Sequence, residues 1–97
     1  MSEMPLDETA ISRTVQITNK RGLHARASAK FVTLASGLKA TITVRKDGHE
    51  VVGTSIMGLM MLGAAMGDDV IISASGEGAQ AALNAVTTLV EDRFGEE

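Results

Sequence analysis

Ninety-seven residues suffice for one small domain and are too few for two. No cysteine occurs, which excludes disulfides and thiolate chemistry, and a net charge of −3 argues neither for a nucleic-acid binder nor for a disordered acidic chain. With two Phe, no Tyr and no Trp the core must be aliphatic, while six Met and ten Gly supply adaptable packing and tight turns.

Residues 1–10 hold Glu3, Pro5, Asp7 and Glu8 without any periodic pattern. A flexible leader is expected there, ahead of one domain over 11–95. The N-terminus is acidic and lacks an apolar stretch, so no signal peptide is expected and the domain is placed in the cytoplasm. Ile11, Arg13, Val15 and Ile17 alternate with Ser12, Thr14, Gln16 and Thr18, the period of a half-buried strand, and Asn19 to Gly22 then turns the chain. From Leu23 onward Ala27, Phe31, Leu34, Ala35 and Leu38 recur at three- and four-residue steps, one stripe of an amphipathic helix that Gly37 ends. Arg26, Lys30 and Thr33 fall off that stripe and are expected to face water.

Ala40, Ile42 and Val44 mark a second strand, and Asp47-Gly48 a hairpin returning into Glu50 to Gly53. Thr54 and Ser55 can cap a short apolar helix over Ile56 to Leu62, followed by a loop from Gly63 to Asp68. The apolar run from Ile56 to Met66 is far too short to span a bilayer. Val70, Ile72 and Ala74 give a fourth strand, with Ile71 on its other face. From near Glu77, Ala79, Ala82, Leu83, Val86, Leu89 and Val90 form the clearest helical stripe, ending at Arg93 and Gly95. The order β-α-β-β-α-β-α predicts an α+β, open-faced β-sandwich, with helices on one face of the sheet and water on the other.

Charge is segregated along the chain. Thr9 to Lys46 holds eight of the nine basic residues and no acidic one, whereas Asp47 onward holds nine acidic residues and only Arg93. Within the basic half, His24 follows the Gly22 turn at a predicted helix start. Position alone leaves such a histidine ordinary. Three features raise it: unpaired helix N–H groups that can hold an anion, a macrodipole that keeps the ring neutral and nucleophilic, and Lys20, Arg21 and Arg26 with no carboxylate in the local sequence. Together they point to a phosphohistidine. His49, beside the hairpin turn, reads as a solvated residue, and a lone second histidine without cysteine argues against a metal site.

The run Asn19-Lys20-Arg21-Gly22-Leu23-His24-Ala25-Arg26 closely resembles the active-site segment of HPr, the histidine-containing phosphocarrier family of the bacterial phosphotransferase system. Ser55-Ile56-Met57-Gly58-Leu59-Met60 resembles the second signature of that family, and the likeness extends over about Ile11 to Phe94. The resemblance implies a four-stranded antiparallel sheet covered on one face by three helices, and a monomer without cofactor. It further implies that His24 accepts a phosphoryl group through Nδ1 from phosphorylated enzyme I and passes it to an EIIA-type protein. Arg26 matches the arginine that assists transfer. The chain is then a phosphoryl relay rather than a free-standing enzyme, and nothing in it resembles a nucleotide-binding loop.

Ala27 stands where the family commonly has proline; alanine retains an N–H donor, and an extra phosphate contact is one expected consequence. Ser55 is expected to cap its helix, and the resemblance adds a regulatory role as a site for HPr kinase/phosphorylase. Lys20, Arg21, Ala27, Lys30, Ile56, Met57 and Met60 are expected to meet the protein partners, with Met57 and Met60 partly exposed because so short a helix cannot bury every side. Two alternatives remain at this point: a carrier serving a regulatory, nitrogen-type branch, and a small ligand- or RNA-binding α+β module. The second is weakened by the shortage of aromatic residues and the negative net charge.

Overall fold

The structure is a computed structural model and describes residues 10–96. The expected leader over 1–10 lies outside them, apart from Ala10. The elements are β1 (Ile11–Gln16), α1 (Ala25–Ser36), β2 (Thr41–Lys46), β3 (His49–Val52), α2 (Ile56–Met61), β4 (Asp69–Ser75) and α3 (Ala79–Glu91), closed by a 3-10 turn at Arg93–Gly95. The strands form one antiparallel sheet in the order β1-β4-β2-β3. This is the open-faced α+β sandwich that the alternation and helical stripes predict.

Register follows from which side chains must be buried. Val15 lies opposite Val70, and Val44 opposite both Ile72 and Val51, so the inward residues of neighbouring strands meet on the helix side. Ile42, Val44, Val70, Ile72 and Ala74 are buried against Phe31 and Ala35 of α1, Leu59 of α2, and Leu83, Val86 and Val90 of α3. Arg13 also points to the helix side. Its guanidinium donates to Thr87 Oγ1 (2.9 Å) and Asn84 Oδ1 (3.1 Å) of α3, which allows a cation at the rim of the core. Thr87, outside the predicted stripe, is fully buried because its hydroxyl also donates to Leu83 O at 2.8 Å.

Boundaries shift where a backbone group finds a different partner. The helix expected from Leu23 begins at Ala25, because His24 keeps extended backbone angles and acts as the cap. Gly53 lies one residue past β3, although its N–H still donates at 2.7 Å to the O of Ile42, its in-register neighbour on β2; a side chain there would lie 2.8 Å from Ile42. Helix α3 starts two residues late, after Gly78 in the left-handed region. Phe94, unassigned by the helical stripes, is fully buried beneath the C-terminal turn.

Two loops meet at one end of the sheet. Gly22 has φ +64, and a Cβ on it would stand 2.3 Å from Ala64 O and 2.9 Å from Ala65 Cα. Leu23 N–H donates to Ala64 O at 2.9 Å, Gly67 N–H to Ile17 O at 2.7 Å and Ile17 N–H to Asp68 O at 2.8 Å. Asp68 Oδ2 closes the second loop by accepting from Ala65 N–H at 2.9 Å. Gly22→Ala therefore meets both left-handed strain, about 1–2 kcal/mol, and a backbone collision. Gly48, at φ +83 with nothing within 4 Å of a Cβ, meets only the strain. In chemical denaturation Gly22→Ala should lose more stability than Gly48→Ala, by about 1–3 kcal/mol, the usual cost of overpacking.

Candidate functional site

His24 is the N-cap of α1. Its Nδ1 accepts from Arg26 N–H at 3.3 Å, turning that nitrogen toward the open first turn of the helix. Its Nε2 lies 2.6 Å from Glu96 Oε2. Asn19 Nδ2 donates to the other carboxylate oxygen, Oε1, at 3.1 Å and to Gly22 O at 2.8 Å, joining the turn to the C-terminus. Lys30 Nζ donates to Phe94 O at 2.7 Å and holds the turn that presents Glu96.

The Glu96 carboxyl lies below the usual carboxylate range. The hydrogen bond from His24 is the main cause, with Asn19 and the charges of His24 and Lys30 helping and partial burial opposing. An ionised carboxylate only accepts. Nε2 therefore carries the proton in the neutral ring, and Nδ1 keeps its lone pair, which agrees with its accepting from Arg26 N–H. One tautomer satisfies both contacts. Asn19 is 1% exposed, and its Oδ1 has no partner among the described residues, so the amide is oriented by its two donor bonds alone.

The other expected residues divide. Lys20, Arg21 and Arg26 are exposed, and among the described residues no side-chain partner engages the Arg26 guanidinium. Lys30 faces water as its helical position requires, but its ammonium is turned to Phe94 O. Ala27 is corrected: it is fully buried in the core against the sheet, so it cannot touch a docking partner. Its N–H meets no backbone acceptor among the described residues. Ser55 caps α2, accepting from Gly58 N–H at 2.9 Å. Ile56, Met57 and Met60 are exposed, as are Met61, Met66 and Val52. The Leu23–Ala64 bond attaches the loop after α2 to the His24 turn.

Glu96, Asn19 and Phe94 are the site residues that local sequence conceals. The absence of acid from Thr9 through Lys46 describes the chain but not the site, because a carboxylate arrives from the far end. Among the described residues no group of three or more His, Asp or Glu side chains gathers to hold a metal, and no helix is long and apolar enough to cross a membrane.

The family model for the PTS HPr component phosphorylation site matches residues 11–92. This chain belongs to the HPr family. The chain is 42% identical to phosphocarrier protein HPr of Cupriavidus necator over 89% of its own length and 97% of that protein. It is 38% identical to phosphocarrier protein NPr of Escherichia coli, over 90% and 98% respectively. The crystal structure of HPr-C-His from Thermoanaerobacter tengcongensis superposes with a TM-score of 0.86 at 45% identity, covering 90% of this chain and 98% of that one. The chain is accordingly a phosphocarrier of the phosphotransferase system, and membership of the HPr family implies interaction with enzyme I and EIIA-type proteins.

Because the folded Glu96 carboxyl is held below its ordinary value of 4.5, its pairing with His24 and Asn19 stabilises the fold fully above that value. The contribution disappears as pH falls below 4.5 through the folded carboxyl's own midpoint. Carbon-detected NMR titration should place the Glu96 midpoint below that of an unpaired glutamate, and Asn19→Ala should move it upward.

Proposed function

We propose that His24 Nδ1 is the phosphoryl acceptor and donor of this carrier. The observation that carries this assignment is the clamp of Nε2 on Glu96, which leaves Nδ1 as the nitrogen with a lone pair facing the first turn of α1. The Nδ1 lone pair attacks phosphorus on phosphorylated enzyme I. A phosphorus–Nδ1 bond forms as the bond to the donor breaks, and the donor keeps its electron pair. The ring then carries the phosphoryl group on Nδ1 and a proton on Nε2, and its positive charge faces the Glu96 carboxylate. The exposed Arg26 guanidinium and the first-turn N–H groups of α1 receive the phosphoryl oxygens, the Arg26 N–H turning from Nδ1 to the phosphoryl group once Nδ1 is occupied. Transfer onward to an EIIA-type protein is the same step reversed.

The partner must cover His24, and the surface continuous with it is the apolar face of α2 with its following loop. Met57, Met60 and Ile56 form the docking surface, flanked by Lys20 and Arg21, while Ser55 lies at its edge. A phosphate placed on Ser55 by HPr kinase/phosphorylase would put negative charge beside that surface and repel an acidic partner. The carrier works as a cytoplasmic monomer, with one domain over 11–95 preceded by a leader. Output to a regulatory, nitrogen-type EIIA is a second reading, supported by similarity to NPr proteins as well as HPr proteins. Discharge of the phosphorylated form by purified EIIA proteins of each type decides between the outputs.

Incubation with phosphoenolpyruvate and enzyme I should add one acid-labile phosphoryl group to the chain. A gain that survives His24→Ala removes the assignment. Arg26→Ala should slow transfer by about ten- to a hundredfold, the rate equivalent of a lost charge-assisted bond of about 1.5–3 kcal/mol acting in the transition state. Full-rate relay by that variant refutes the role. With ATP and HPr kinase, an acid-stable phosphate should form and be absent from Ser55→Ala.

A further inference from the structure

Methionine is the only sulfur in this chain, and there is no cysteine, tyrosine or tryptophan to compete for an oxidant. Of the six methionines, Met1 and Met4 precede the described residues. The other four are all exposed: Met57 by 68%, Met60 by 41%, Met61 by 78% and Met66 by 57%. Packing uses none of them as core. Met57, Met60 and Met61 are three and four residues apart, so they share one face of α2. Met66 follows in the loop whose Ala64 carbonyl accepts from Leu23 N–H, one residue before His24.

We infer that Met57, Met60, Met61 and Met66 are a modification site for hydroperoxides, and that sulfoxide formation there weakens docking of enzyme I. The inference rests on the docking surface proposed above. In the step, a thioether lone pair attacks one oxygen of hydrogen peroxide. The oxygen–oxygen bond breaks as the sulfur–oxygen bond forms, and the departing hydroxide takes up the proton of the new S–OH group, leaving the sulfoxide and water. Sulfur is oxidised by two electrons and the peroxide is reduced by two. The product is polar and accepts hydrogen bonds strongly, so burying it under a partner costs solvation that a thioether does not require. His24 carries no sulfur and is held by Arg26 N–H and by Glu96, whose carboxylate Asn19 anchors in turn, so its phosphoryl chemistry is retained. The effect therefore falls on encounter with enzyme I and not on turnover of the bound pair. Because sulfoxide is reducible, the brake is reversible.

The full chain is treated with graded hydrogen peroxide, quenched with catalase, mapped by peptide mass spectrometry and assayed with enzyme I and phosphoenolpyruvate. One added oxygen is expected at each of the four positions. KM for the carrier should rise about tenfold, the equivalent of about 1.4 kcal/mol of docking energy, with kcat nearly constant. Treatment with methionine sulfoxide reductase should return KM to its starting value. The combined variant Met57→Leu, Met60→Leu, Met61→Leu and Met66→Leu, compared with itself before and after peroxide, should show no change. A rise that persists there traces to Met1, Met4 or another group and overturns the inference. So does complete oxidation of the four with KM unchanged, or loss of kcat instead. Met57→Gln with Met60→Gln, never exposed to peroxide, tests the docking surface separately: unchanged KM there removes that surface, whereas raised KM together with peroxide-insensitive KM removes the redox effect alone.

Discussion

The contact of the Gly22 turn with the backbone of Ala64 and Ala65 is the constraint on which the site depends. A Cβ at Gly22 would collide with Ala64 O, so its absence lets two loops more than forty residues apart come into backbone contact. Once they touch, Leu23 N–H reaches Ala64 O, and the bonds between Ile17, Gly67 and Asp68 continue the seam toward the sheet. His24 is the next residue after that anchor. Its position at the start of α1 and its adjacency to the α2 loop are therefore consequences of one side-chain-free approach.

The second half of the site depends on the chain turning back after α3. Arg93, Phe94 and Gly95 all have positive φ, and the two non-glycine residues each carry left-handed strain of about 1–2 kcal/mol. Burial of the Phe94 ring, about 1.5–3 kcal/mol, is of the same order and offsets much of it. The bond from Lys30 to Phe94 O supplies further compensation and ties the turn to α1, the helix that His24 caps. Phe94 is thus a core residue whose consequence is electrostatic. By fixing the turn, it fixes the carboxylate two residues later.

Most of the fold was legible because it rests on local periodicity. Alternation at Ile42 and Val44 and the stripe through Leu83, Val86 and Val90 each announce their own buried face, and Asp47-Gly48 announces its turn. His24 was legible for a related reason: glycine turn, helix start and basic neighbours are contiguous. Glu96 was not, since its role depends on a reversal of three residues with no periodic signature. Ala27 does not belong with the partner contacts: Arg26 and Lys30 beside it are exposed, but the helical stripe that includes Phe31 and Ala35 turns it inward. Helix geometry wins over proximity in sequence.

The resulting site combines a fixed nucleophile with unfixed surroundings. Both nitrogens of His24 are engaged, one by a backbone N–H and one by a carboxylate that is itself held by Asn19, so the ring is presented in a single tautomer without help from a partner. Arg26 and the methionines of α2 are left exposed, on side chains with many rotamers. A relay must complete its site twice, against two proteins of different shape, while forming and breaking the same phosphorus–nitrogen bond. Preorganising the ring serves both encounters equally, because the ring does the same chemistry in each. Preorganising the contact surface would favour one partner at the expense of the other.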